Sequence, residues 1–149
     1  MKLRCSLIGY SGHSDLGLLK WFLDTKSGEM INGFTNHFWN GITTFHFAKL
    51  IQQIINQNLY TNGTFHIIPS DHLSKYELLN IFRNVYDRQD INIKEFISPD
   101  SIDRRLATEF PDFNSKLWNL IGFNSLPSIE SLIWDFKENY YLGLRLNEN

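Results

Sequence analysis

The chain has 149 residues, a net charge of -2, and hydrophobic and aromatic shares of 42% and 15%. That composition excludes a disordered chain, and the scattered basic residues exclude a nucleic-acid footprint. The lone Cys5 cannot build a disulfide framework or a thiolate metal site, and no apolar run approaches the roughly 20 residues of a membrane span, so a reduced, cytoplasmic protein with no membrane partner is expected.

Residues 2–8, KLRCSLI, read as a largely buried strand. The loop GYSGHSD follows, then a helix over 15–24 with Leu16, Leu19, Trp21, Phe22 and Leu23 on its apolar face. GEMIN reads as a short strand. The next stretch, FTNHFWNG, is unusual: aromatics and asparagines with no acid, which read as a loop. A helix is expected over 43–57, capped by Thr43 or Thr44, with Phe47, Ala48, Ile51, Ile54 and Ile55 inward. Asn62-Gly63 marks a turn before the strand TFHII, 64–68.

Ser74 and Glu77 have capping-box spacing, flanked by Leu73 and Leu78 at the positions of a hydrophobic staple. The helix they open runs to about Tyr86, with Leu79, Phe82, Val85 and Tyr86 inward. INIKEFI, 91–97, reads as a strand with one face exposed. Residues 98–113 read as an irregular loop. NSKLWNLI is a short helix stopped by Gly122. Pro127-Ser128 opens a last helix, IESLIWDFKENYY, and the tail after Gly143 is expected to fray. Alternating strands and helices make the class α/β.

Several motifs fall to simpler readings. Gly9 and Gly12 follow a strand, as in a dinucleotide loop, but Asp15 stands where the third glycine would be. A turn is the simpler account, and direct dinucleotide binding is kept only as a third possibility. His13-Ser14-Asp15 are adjacent in sequence, whereas a triad needs convergence in space. His37 and His46 lack metal-ligand spacing. His66 reads as a satisfied structural histidine and His72 as exposed. Phe38 and Trp39 fit a core as well as a ligand platform.

Taken in order, several segments resemble one family. They are LRCSLIG with Arg4 and Ser6, the long run LGLLKWFLDTKSGEMINGFTNHFWNGITTFHFAKLI, and GTFHIIPSDHLSKYELLNIF with its Ser74-Lys75-Tyr76. IDRRL and PSIESLI complete the set. Together they resemble the C-terminal, substrate-binding part of extended short-chain dehydrogenases/reductases acting on nucleotide sugars, of the dTDP-4-dehydrorhamnose reductase-like kind.

The resemblance implies a Rossmann-like C-terminal portion. Short parallel strands and a small substrate-binding α/β lobe would form one substrate-binding domain over 1–149, with the N-terminal nucleotide-binding half absent. In that family a Tyr-x-x-x-Lys pair does the proton transfer. No tyrosine here has lysine four residues on; Tyr141 comes nearest, with Arg145. The resemblance therefore implies no catalytic residue and no cofactor bound by this chain alone, with NAD(P)H belonging to the complete enzyme.

It also implies a substrate-binding set of Ser6, Phe34, Asn36, His37, Trp39, Asn40 and Arg104. The aromatics would stack on a base or sugar, the amides would pair with hydroxyls or carbonyls, and Arg104 would fork onto a pyrophosphate. Arg105 stands where relatives often have a small residue, so which arginine faces the ligand stays open. Without the resemblance, Arg104 and Arg105 beside Asp103 read as a solvated ion cluster. The implied partners are a nucleotide sugar and either a second copy of the chain or a separate nucleotide-binding half. The implied function is the nucleotide-sugar-binding portion of a reductase in deoxysugar or surface-polysaccharide synthesis, inactive alone. The alternative is a non-catalytic remnant or interaction module that keeps only the fold.

Overall fold

The computed structural model describes residues 1–9 and 17–147, with side chains as far as Asn139. Gly12, the His13-Ser14-Asp15 run and Leu16 lie outside the described residues, as do the side chains of Tyr141 and Arg145.

The N-terminal strand is one line of chain with two successive neighbours. Its first part, β1 (Lys2–Arg4), pairs in parallel with β6 (Thr64–His66), as expected for these two segments. Its second part, β2 (Leu7–Ile8), pairs in parallel with β5 (Ile42–Thr43). Between them the Arg4 carbonyl accepts from the Ile67 N–H and the Ser6 carbonyl from the Ile42 N–H, both at 2.9 Å. The change of partner thus happens without stranding these buried-side carbonyls.

Helix α1 (Leu18–Asp24) buries Leu19 and Phe22. Trp21, expected inward, is 43% exposed, because it falls roughly 200° around the helix from Leu19. β3 (Met30–Phe34) pairs in parallel with β8 (Asn92–Phe96). The aromatic stretch that read as a loop contains a strand, β4 (His37–Trp39). It forms the centre of a three-stranded sheet, antiparallel to β7 (Leu73–Ser74) and parallel to β9 (Ile102–Arg104). The segment 98–113 is likewise more regular than its sequence implied. It holds β9 and the first residues of α4 (Pro111–Leu120), which opens with a proline where no N–H is needed.

Helix α2 (Thr44–Asn56) is capped by the Thr43 hydroxyl, which accepts from the His46 N–H. Its buried face is His46, Leu50 and Ile54, while Ile55 and Ala48 are exposed. The buried face is thus rotated from the expected one, and of the residues expected inward only Ile54 is fully buried. Helix α3 (Lys75–Val85) has the full capping box: Ser74 Oγ accepts from the Glu77 N–H, and the Glu77 carboxylate accepts from the Ser74 N–H. Helix α5 (Ile129–Asn147) continues past Gly143, where fraying was expected.

Two apolar clusters share α5. Ile129, Ile133 and Phe136 join Leu19, Phe22, Leu79 and Phe82, while Leu132 packs with Leu50, Ile67, Leu117 and Trp118. One amphipathic helix thereby ties both clusters together. Among the described residues, no helix is long and apolar enough to cross a membrane.

Candidate functional site

A cleft of about 450 Å³ opens where α1, β2, β4, β9 and the start of α3 meet. Leu7, Ile8, Leu18, Leu78 and Ile102 supply apolar wall, Phe34, His37, Phe38 and Trp39 supply aromatic wall, and Lys75 and Arg104 supply charge. Among the described residues no acidic one lines it. The volume is in the range of small-ligand sites, and the mixture of apolar wall with a few charges is what such sites use for orientation.

Strand pairing explains how these groups meet. Trp39 and Arg104 are register partners on β4 and β9, as are His37 and Ile102. Alternation along the strand sends successive side chains to opposite faces. Arg104 accordingly faces the cleft. Arg105 does not: it holds the Asp103 carboxylate at 2.6 Å, and its guanidinium lies 5.1 Å from the Phe38 ring centroid. The Asp103 carboxyl is drawn down to about 2, chiefly by the hydrogen bonds Arg105 gives it. Of the two arginines, this pairing puts Arg104 in the cleft lining.

The remaining expected site residues sit around the cleft in other ways. Phe34 packs against His37 and Phe96, with ring centroids 4.5 and 5.6 Å away. His37 Nε2 donates to the Asp100 carbonyl at 3.0 Å, which fixes the ring. Asn36 and Asn40 stand at either side of β4, and each amide pairs twice with the opposite chain. Asn36 donates to the Ser98 carbonyl at 2.8 Å and accepts from its N–H at 3.0 Å. Asn40 does the same to Leu106, at 2.8 and 2.7 Å. Together the two amides bracket the segment that carries Arg104. Ser6 is half-buried, and its carbonyl is taken by Ile42.

The Asn40 clamp has a measurable weight. Asn40 is 7% exposed, so Asn40→Ala leaves the part-buried N–H and carbonyl of Leu106 without the partners they have in Asn40. A loss of about 2 kcal/mol is expected, read as a lower urea midpoint, with Asn40→Asp recovering part because it keeps the acceptor.

Lys75 was singled out in sequence only as part of a recurrent Ser-Lys-Tyr. In the fold it is the first residue of α3 and projects into the cleft, with its ammonium over the rings of Trp21 and Phe34. Its cap position was legible, but its direction was not. Cys5 is unsuited to nucleophilic work, since burial pushes its thiol up to about 11. Gly9 serves packing: a Cβ there would lie 2.0 Å from Thr44 Oγ1, so α2 occupies the space beside it.

No protein-family model matches the sequence, and no curated protein matches it. Solved structures do match the architecture. A dTDP-4-dehydrorhamnose reductase from Clostridium acetobutylicum superposes over 93% of this chain with a TM-score of 0.64 at 13% identity. The fold is that of part of an extended short-chain dehydrogenase/reductase. A dTDP-4-dehydrorhamnose reductase from Bacillus anthracis, solved with NADP, matches this extended-reductase fold over 89% of the chain (TM-score 0.61, 17% identity). The UDP-glucose 4-epimerase from Thermotoga maritima, solved with UDP-glucose, matches over 95% (TM-score 0.57, 14% identity). The chain spans only 48%, 46% and 46% of these three proteins' own lengths. It is thus about half of an extended reductase fold in extent.

Proposed function

We propose that this chain is the nucleotide-sugar-binding portion of an NAD(P)-dependent sugar reductase of the dTDP-4-dehydrorhamnose reductase kind. The cleft is the observation that carries the reading. It combines aromatic wall for a base or sugar face with the Arg104 guanidinium for a phosphate, and among the described residues no carboxylate lines it. Among the described residues Arg104 has no carboxylate partner, so its fork is available. The similarity to a reductase solved with NADP and an epimerase solved with UDP-glucose supports the same ligand classes.

The dinucleotide itself does not fit the groups described here. Gly9, which might have met a phosphate, packs on Thr44, and the sequence has no Tyr-x-x-x-Lys. We assign the cofactor and the proton transfer to a complementary nucleotide-binding half. On this reading residues 1–149 act as one substrate-binding domain, and alone they bind without transferring hydride.

Calorimetric titration with dTDP, UDP and NADPH tests this. A nucleoside diphosphate should bind and NADPH should not. Arg104→Met should weaken the diphosphate by about tenfold or more, the size of one charge-assisted contact. Binding of NADPH by the chain would overturn the assignment, and silence for all three would favour a non-catalytic remnant.

A further inference from the structure

We propose that Lys75 joins Arg104 in a two-cation seat for the diphosphate of a nucleotide ligand, and that Lys75 gives the cleft its preference for diphosphate over monophosphate. The proposal rests on the nucleotide-sugar reading of the cleft and adds to it a residue and a ligand charge.

Lys75 and Arg104 line one cleft, and among the described residues nothing acidic lines it with them. The acids nearby in sequence are engaged elsewhere. Glu77 accepts from the Ser74 N–H at 2.7 Å and from its Oγ at 2.8 Å. Being two residues from Lys75 on a helix, it does not face it. Asp103 is held by Arg105. Among the described residues neither cleft cation has a carboxylate partner.

Lys75 is half-buried and Arg104 exposed, and two like charges lining one cleft with no carboxylate partner among the described residues repel each other. Burial lowers the Lys75 pKa first, and the charge of Arg104 lowers it further. The rings of Trp21 and Phe34 offset part of this, with centroids 5.3 and 5.0 Å from Lys75 Nζ, within cation–π range. They account for an exposed tryptophan on α1 whose position no core requires. An anion between the two cations turns their repulsion into shared attraction, and it does so more strongly as its charge rises. A diphosphate therefore gains more from the pair than a monophosphate does.

The test uses the whole chain and four probes: inorganic pyrophosphate, inorganic phosphate, dTDP and uncharged thymidine. Lys75→Met should weaken pyrophosphate and dTDP by about tenfold, narrow the gap between pyrophosphate and phosphate, and leave thymidine unchanged. Lys94→Met, the same charge loss on the exposed strand β8, should bind as wild type. Thermal melts check folding, with Lys75→Gln as the second variant. Unchanged dTDP and pyrophosphate affinity in folded Lys75 variants would overturn the seat while leaving the wider reading intact. If pyrophosphate binds through Lys75 but dTDP binds no tighter than pyrophosphate, the seat stands and the nucleotide reading falls. A wild type that binds none of the four overturns both.

Discussion

Lowering the pH from 7 to 4 is expected to remove on the order of 3 kcal/mol of stability through His46 alone. The ring is 0% exposed. Its Nδ1 lies 2.7 Å from Thr43 Oγ1 and its Nε2 lies 2.8 Å from Asp135 Oδ2. One neutral tautomer satisfies every group: Nε2–H donates to the carboxylate, and the Thr43 hydroxyl donates to Nδ1 while accepting the His46 backbone N–H. Burial pushes the pKa from 6.5 down to about 4, against the pull of Asp135, and the charge of Lys49 pushes the same way as burial.

The unfolded chain therefore takes up this proton near pH 6.5, whereas the folded one resists it until about 4. Stability is complete above pH 6.5 and falls as the pH drops through that window. Urea midpoints taken between pH 7 and 5 should decline in the wild type. In His46→Gln they should be lower at neutral pH but much flatter with pH. Parallel slopes for the two proteins would show that His46 is not the group responsible. The loss matters to the site because Thr43 ends β5, which pairs with the cleft residues Leu7 and Ile8.

Gly41→Ala should cost about 3 kcal/mol, at the upper end of overpacking effects, and should also spoil the cleft. A Cβ at this position would lie 2.0 Å from Trp39 Cζ2 and 2.3 Å from the Ser6 carbonyl oxygen. The indole could swing away, but only by leaving the cleft wall. The Ser6 carbonyl cannot yield, because it holds the Ile42 N–H at 2.9 Å and with it the junction of β2 and β5. The variant should therefore show both a lower urea midpoint and a shifted Trp39 environment, seen as weaker nucleoside diphosphate binding in the fraction that folds. Gly17→Ala, whose added carbon comes no closer than 3.5 Å to the Gly9 carbonyl oxygen, meets no such contact. If Gly41→Ala melts like the wild type, the close packing of Trp39 over this glycine is wrong.

His46 shows why some of the site was hidden. Read along α2, the apolar residues Phe47, Ala48, Ile51, Ile54 and Ile55 mark one face, but the buried one is His46, Leu50 and Ile54. What draws His46 inward is Asp135, 89 residues on. The aromatic stretch misled in a similar way. Asn36 and Asn40 are loop formers by composition, yet each behaves as a strand surrogate, pairing its amide with a backbone more than 60 residues distant. That pairing turns His37–Trp39 into the centre of a sheet.

What the sequence determined by itself is what neighbours three or four residues apart can settle. The Ser74–Glu77 capping box, the Thr43 cap, the buried Leu79, Phe82 and Val85 of α3, and the alternation that makes the chain α/β all follow from local hydrogen bonding and periodicity. The division of residues 2–8 between two partners, the outward turn of Trp21, the burial of His46 and the place of Arg104 in the cleft lining belong to the tertiary structure alone. Each depends on which distant segment arrives alongside: β5 and β6 for the first strand, α5 for His46, and β4 beside β9 for Arg104. Local rules set how a segment is shaped, but the environment that buries a charge or leaves it facing a cleft is built by segments far apart in the chain.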